Sequence, residues 1–240
     1  MKKIIPLTLC ISTILSSSIY AQDLPKLPFS FSGNVGAYSD YRFRGISQTQ
    51  EDPAIQADVT VKHDSGFKFN VWSSNVDFNT VKGGSQEVDL TAAYQHQLTK
   101  ELSVETGFIY YLYPGSSQDL HYDYSEAYAS LGYDFGKFSL TPSVNVSSDF
   151  FGASGTAWYP HIGLQVPLPQ QFTLDAGVGR QYVHDAAAYG VPDYTDWMLG
   201  GHYDFSGNTV SLKYQDTSIS NDRCSVGCSA TVVLSISRQF

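Results

Sequence analysis

From residue 29 to residue 240 the sequence alternates apolar and polar side chains with period two, in stretches of about ten residues separated by turn residues. Period two places one set of side chains on each face of a strand, so this pattern commits the chain to sheet. In the last stretch Ala230, Val232, Leu234, Ile236 and Phe240 share one parity, and Thr231, Val233, Ser235, Ser237 and Gln239 share the other. Phe172, Leu174, Ala176 and Val178 alternate with Thr173, Asp175, Gly177 and Gly179 in the same way. Twelve strands are expected, at 29–41, 53–63, 67–78, 86–97, 101–113, 122–135, 137–150, 156–166, 171–183, 194–205, 209–219 and 229–240. No stretch sustains a helical period and no linker divides the chain.

The connections alternate as well. Short, turn-rich links at 64–66, 98–100, 136, 167–170 and 206–208 are interleaved with longer polar ones at 42–52, 79–85, 114–121, 151–155, 184–193 and 220–228. An all-β, transmembrane, antiparallel up-and-down β-barrel gives this asymmetry, with short periplasmic turns and longer extracellular loops. A sheet in hydrocarbon has to close on itself, because unpaired edge groups cost several kcal/mol each. The outward parity supplies Val, Leu, Ile, Ala and aromatics, and the inward parity supplies Ser, Thr, Asn, Gln, Gly and charges. Phe29, Phe67, Phe69, Phe135, Phe138, Phe172, Phe205 and Phe240 fall beside the short-turn ends, where an interfacial aromatic girdle belongs. A mean hydropathy of -0.18 argues against a helical membrane protein, whose spans need about 20 consecutive apolar residues.

Residues 1–21 have the layout of a cleaved secretory signal: Lys2 and Lys3, an apolar run over 4–15 broken by Pro6, Ser12 and Thr13, then small residues up to Ala21. Residues 22–240 are then a single barrel domain. Loss of the two lysines leaves 12 basic against 23 acidic residues, a net charge of -11. Nucleic acid is an unsuitable partner for such a chain, since phosphate binding needs Lys and Arg patches. Cys10 leaves with the signal, so Cys224 and Cys228 remain as a pair. In an exported chain they read as a disulfide closing a tight loop, which restricts the unfolded chain by roughly 2 kcal/mol. The other reading, half of a zinc site, lacks a second ligand pair nearby.

A soluble β-sandwich or lipocalin-like barrel would also alternate, but neither accounts for the end of the chain. Outer-membrane barrels commonly finish on Phe with alternate apolar residues before it, the signal read by the barrel-assembly machinery. Val232, Leu234, Ile236 and Phe240 match that pattern, while Arg238 stands where an apolar residue is usual and has to snorkel to the interface.

The stretch Ser39-Asp40-Tyr41-Arg42-Phe43-Arg44-Gly45-Ile46-Ser47-Gln48 resembles the most distinctive motif of the TorF family of porins, also described as the Gcw_chp family of proteobacteria. Val71-Trp72-Ser73-Ser74-Asn75-Val76-Asp77-Phe78, Tyr110-Tyr111-Leu112-Tyr113-Pro114-Gly115 and Tyr124-Ser125-Glu126-Ala127-Tyr128 extend the resemblance in order along the chain. It implies an outer-membrane barrel assigned to transport, reached after export in a Gram-negative cell, and it carries over no catalytic residues.

Parity places Asp40, Asp58, Glu87, Asp89, Glu105, Glu126, Asp175, Asp196 and Asp204 inward, against Arg42, Lys62, Lys68 and Lys213. Nine acidic to four basic groups imply a water-filled lumen with a mild preference for cations, since fixed negative charge concentrates them. The alternative is that these charges pair across the lumen and plug it. Arg42 and Arg44 either form a positive face opposite carboxylates or anchor the following loop by bidentate hydrogen bonds. Tyr110, Tyr111, Tyr113, Tyr122, Tyr124 and Tyr128 suit either a stacking path for solutes or an interfacial girdle. His121, His161, His184 and His202 are scattered singly, and no metal or other cofactor is expected. Ser147, Ser148, Asp149 and His161 make no recognisable hydrolase arrangement, so no enzyme is expected. The expected function is a porin-like channel for small solutes or ions, in contact with outer-membrane lipids; the alternative is a non-conducting surface or structural barrel.

Overall fold

The computed structural model describes residues 27–80 and 82–240, so the expected signal at 1–21 lies outside the described residues. The chain runs through β1 (Phe29–Tyr38), the very short β2 (Arg42–Phe43) and β3 (Ile46–Ser47), then β4 (Ala54–His63), β5 (Phe67–Asn75), β6 (Gln86–Gln97) and β7 (Leu102–Leu112). It continues through β8 (Tyr124–Asp134), β9 (Ser139–Ser147), β10 (Ala157–Pro167), β11 (Phe172–Val183), β12 (Tyr194–Phe205), β13 (Asn208–Thr217) and β14 (Thr231–Gln239). All except β2 and β3 join one closed antiparallel barrel, in which each strand pairs with its sequence neighbours and β1 closes on β14. The twelve expected strands are present, in an up-and-down arrangement. The seam carries on past the last ladder pair: Gly33 N–H donates to the Phe240 carbonyl at 2.8 Å and Phe240 N–H donates to the Gly33 carbonyl at 3.0 Å. The sheet therefore leaves no edge open to pairing.

Barrel strands of 9 to 12 residues suit a tilted crossing of a hydrocarbon layer. Their outer face carries an exposed apolar belt including Ile55, Val59, Val71, Leu90, Phe108, Leu174, Leu199, Leu212, Val232, Leu234 and Ile236. At the short-turn end, aromatic rings pair side by side on this outer face, as Phe67 with Tyr94, Tyr133 with Phe135, and Phe172 with Tyr203. Phe135 also stacks on Phe138. Arg238 reaches the Asn208 side chain at 3.2 Å, so its charge lies beside the polar 206–207 turn.

The strands stop short of their expected limits at the long-loop end: β1 ends at Tyr38, β9 at Ser147 and β13 at Thr217. The residues beyond them leave the ladder because their side chains turn inward over the mouth. Tyr41, Phe150 and Ile219 are buried there. A twelve-stranded barrel is wider than the eight strands that side chains alone can fill. Here part of that width is taken up by β2 and β3.

Candidate functional site

Residues 42–47 form a two-stranded hairpin, pairing Arg42 with Ser47 and Phe43 with Ile46. Its turn residues, Arg44 and Gly45, have φ of 48° and 81°. Positive φ at both central residues is the turn geometry that matches strand twist in a two-residue hairpin, and glycine meets it without strain. Gly45 is needed for a second reason. A Cβ there would lie 2.6 Å from Thr217 Cγ2 and 3.0 Å from Asp196 Cβ, on the barrel wall. Arg44 is a long side chain in the same left-handed region, a conformation that persists only where the surroundings over-determine it.

The surroundings are the barrel interior. Arg44 donates to both carboxylate oxygens of Glu126, on β8, at 2.8 and 2.6 Å, and to Gln181 Oε1, on β11, at 2.6 Å. Its guanidinium carbon sits 4.2 Å from the centre of the Tyr159 ring, 4.6 Å from Phe43 and 5.8 Å from Phe150. Glu126 also accepts from Tyr111 and Asn145, so strands β7, β8, β9 and β11 all contribute to this one ion pair. Tyr159 in turn donates to the Asp196 carboxylate at 2.9 Å. Burial disfavours the Arg44 charge, but Glu126 more than offsets this, and the guanidinium is held above its ordinary value.

The base of the hairpin is tied down separately. Arg42 donates to Asp40 at 2.6 Å, to the Gly45 and Ser229 carbonyls at 2.9 Å, and to Glu51 at 3.3 Å. Asp40 further accepts from Ser47 and Thr49. The Cys224–Cys228 disulfide is formed, and its loop lies against the hairpin: Ser47 N–H donates to the Gly227 carbonyl at 2.8 Å, and Gly227 N–H to Glu51 at 3.2 Å. Of the two readings of the arginine pair, anchoring describes Arg42, whereas Arg44 is the group that faces carboxylates across the interior.

Above and around the hairpin lies a collar of buried rings. Tyr41, Tyr111, Tyr113, Tyr124 and Phe150 form its core, with Phe43, Phe78, Tyr122, Phe151 and Tyr189 packed against them. The collar encloses an apolar cavity of about 160 Å³, bounded by Phe43, Ile46 and the disulfide. Of the six clustered tyrosines only Tyr110 faces outward with appreciable exposure; Tyr111, Tyr113, Tyr122 and Tyr124 belong to the collar, and Tyr128 donates to Glu105 on the interior. The girdle reading therefore fails for five of the six. Burial, reinforced by Glu87, pushes the Tyr113 phenol well above its usual range, and burial does the same for Tyr41.

The remaining charged candidates are distributed over the interior. Glu87 accepts from Tyr113, and one oxygen each of Glu87 and Asp89 is buried without a hydrogen-bond partner. Asp58 accepts from Asn70, Lys62 donates to Gln95, and Lys68 pairs with Glu105 at 2.8 Å. His202 contacts Asp175 at 2.7 Å, Gln165 donates to Asp175, and Thr209 donates to Asp204. Lys213 lies opposite Gly200 and Val233 in the ladder. Beneath Arg44 the interior opens into a chamber of about 340 Å³ edged by Asn145, His161, Asp196 and Gln215. His161 stands opposite Ser143, while Ser147 stands opposite Ala157. Ser147 and His161 are thus displaced by four ladder positions, about 13 Å, and form no catalytic pair. Among the described residues no group of three His, Cys, Asp or Glu side chains could hold a metal ion.

Arg44 is absent from the inward charges assigned by parity, although with Arg42 it is one of the two arginines expected either to face carboxylates or to anchor the loop; Gln181 and Tyr159 are absent because they are uncharged. The available signal was Arg-Gly followed by Ile-Ser inside an expected loop, a hairpin tip too short to register as alternation.

The whole span 22–240 matches the model of a family described as "Bacterial protein of unknown function (Gcw_chp)". No curated protein sequence matches the chain. The fold is similar to that of solved outer-membrane proteins at very low identity. One described as KdgM porin gives a TM-score of 0.61 at 8% identity, over 87% of this chain and 99% of that one. One described as NanC porin gives 0.55 at 14%, over 88% and 99%. The COG4313 outer membrane channel from Pseudomonas putida F1 gives 0.55 at 11%, over 90% and 97%.

Proposed function

The chain belongs to the Gcw_chp family of bacterial proteins of unknown function, and we propose that it is an outer-membrane channel passing small solutes by diffusion, with a mild preference for cations. The observation that carries this is the closed twelve-stranded barrel, apolar outside and lined inside by charged and polar groups. An interior lined by polar and charged groups suits a hydrated passage. The likeness of fold to KdgM, NanC and the Pseudomonas channel supports the reading, as does the resemblance of the 39–48 motif to TorF porins. By parity the strands carry more carboxylates than basic groups on the interior face, and Asp58 among them has no salt-bridge partner among the described residues; this supports a preference for cations in the lumen.

In this reading residues 1–21 direct export and are removed, and Val232, Leu234, Ile236 and Phe240 are recognised by the assembly machinery. The short turns then face the periplasm and the hairpin sits at the outer mouth. Proteoliposomes holding the folded protein are expected to swell in small uncharged solutes faster than empty vesicles. Equal rates would contradict the proposal and favour the second reading, a non-conducting barrel, which the hairpin in the mouth supports.

A further inference from the structure

Three features of Arg44 are unusual for a loop residue. Its side chain is 6% exposed and Glu126 is 1% exposed, so both charges have left water. Its backbone holds the left-handed conformation at a hairpin tip. Its guanidinium is met in every direction by complementary chemistry: a carboxylate pairing with it edge-on, an amide oxygen, and aromatic faces at 4.2 and 5.8 Å from strands and loops remote in sequence. A carboxylate combined with aromatic faces is how proteins hold small organic cations. Apart from Phe43, which the hairpin itself supplies at 4.6 Å, this receptacle is built from β8, β10, β11 and the loop after β9.

We infer that the β2–β3 hairpin is a tethered plug, and that Arg44 occupies from within the chain an organic-cation site formed by Glu126, Gln181, Tyr159 and Phe150 at the outer mouth. The inference rests on the channel reading and adds to it a ligand class, guanidinium-bearing solutes, and a gate. The passage is narrow while Arg44 is seated and open while it is displaced. A free guanidinium takes the same seat once Arg44 has left it and blocks the passage there in its place; Arg42 and the disulfide loop pin the base of the hairpin, while Arg44 makes the tip's charged contacts with the barrel wall. The Arg42 anchor and the Gly227 contacts set where the hairpin returns.

The test compares wild type, R44A and R44K in planar bilayers, with N-ethylguanidinium as the soluble probe. Wild type is expected to open briefly, R44A to stay open several-fold longer, and R44K to fall between, since an ammonium keeps the charge but not the planar fork. N-Ethylguanidinium is expected to close R44A at concentrations where ethylammonium does not. Unchanged open times in R44A overturn the plug while leaving a conducting wild type, and therefore the channel, intact. Failure of the probe to close an open R44A overturns the cation site. If folded wild type and R44A are both silent, the channel reading falls. The site is then decided by melting in detergent, where N-ethylguanidinium is expected to raise the Tm of R44A and not of wild type. No rise in R44A overturns it.

Discussion

Replacing Arg44 and Glu126 singly and together measures how firmly the hairpin is seated in the barrel. The pair lies at 2.6 Å with both side chains buried. Two unit charges about 4 Å apart attract by about 4 kcal/mol at an effective dielectric constant of 20. Removing one partner of a buried pair costs about 3–5 kcal/mol, since the other charge is left without compensation. In a double-mutant cycle of R44M, E126Q and both, the expected coupling is about 3 kcal/mol, with the double variant less destabilised than E126Q alone. For a plug that undocks as proposed, the loss in E126Q has a ceiling at the free energy of undocking. Urea unfolding in lipid bilayers, followed by the fluorescence of Trp72, Trp158 and Trp197, provides the assay. A coupling below about 1 kcal/mol, the range of exposed ion pairs, would refute a hairpin seated among the strands.

Leu199 lies mid-strand on the outer face of β12 and is 62% exposed, so L199R is expected to destabilise the barrel by about 2–4 kcal/mol in bilayers, whereas T91R on the interior face costs less. Equal losses would contradict the assignment of faces. A Cβ at Gly179 would collide with the Tyr159 ring, so G179A is expected to displace that ring from Asp196 and cost about 1–3 kcal/mol in the same unfolding assay. The Phe240 ring lies over Gly33, 2.6 Å from where a Cβ would stand, and F240A is expected to reduce the amount of folded barrel recovered from outer membranes, as read by heat-dependent gel migration. Tyr41 and Tyr113 have raised values, so the unfolded chain loses these protons near pH 10 while the folded chain keeps them. Stability therefore falls as pH rises above 10, and in an ultraviolet titration Y41F/Y113F is expected to lower by two the number of tyrosines that ionise near pH 10 only after unfolding.

Most of the barrel is legible in the sequence because strand periodicity and lipid exposure impose the same pattern. Ile55, Ala57, Val59 and Val61 face outward for one reason, and the same reason fixes Gln56, Asp58, Thr60 and Lys62 inside. The long-loop end is less legible, because there the pattern is set by tertiary packing. Tyr41 and Phe150 continue the alternation of β1 and β9 in sequence yet leave the ladder to roof the mouth. The site was half legible. Glu126 and Asp196 stand at inward positions of long strands, where parity identifies them. Arg44 gains its position from a two-residue turn, and its partners lie 82 and 137 residues away. The arginine pair 42 and 44 points to a positive face opposite carboxylates, but no local pattern encodes which carboxylate Arg44 meets.

The most direct test of the account is single-channel recording of the folded wild-type protein in a planar bilayer under a potassium chloride gradient. Discrete conductance steps are expected, with a reversal potential on the cation side set by the interior carboxylates. A folded protein that stays silent at every applied potential, or a reversal potential on the anion side, would contradict it.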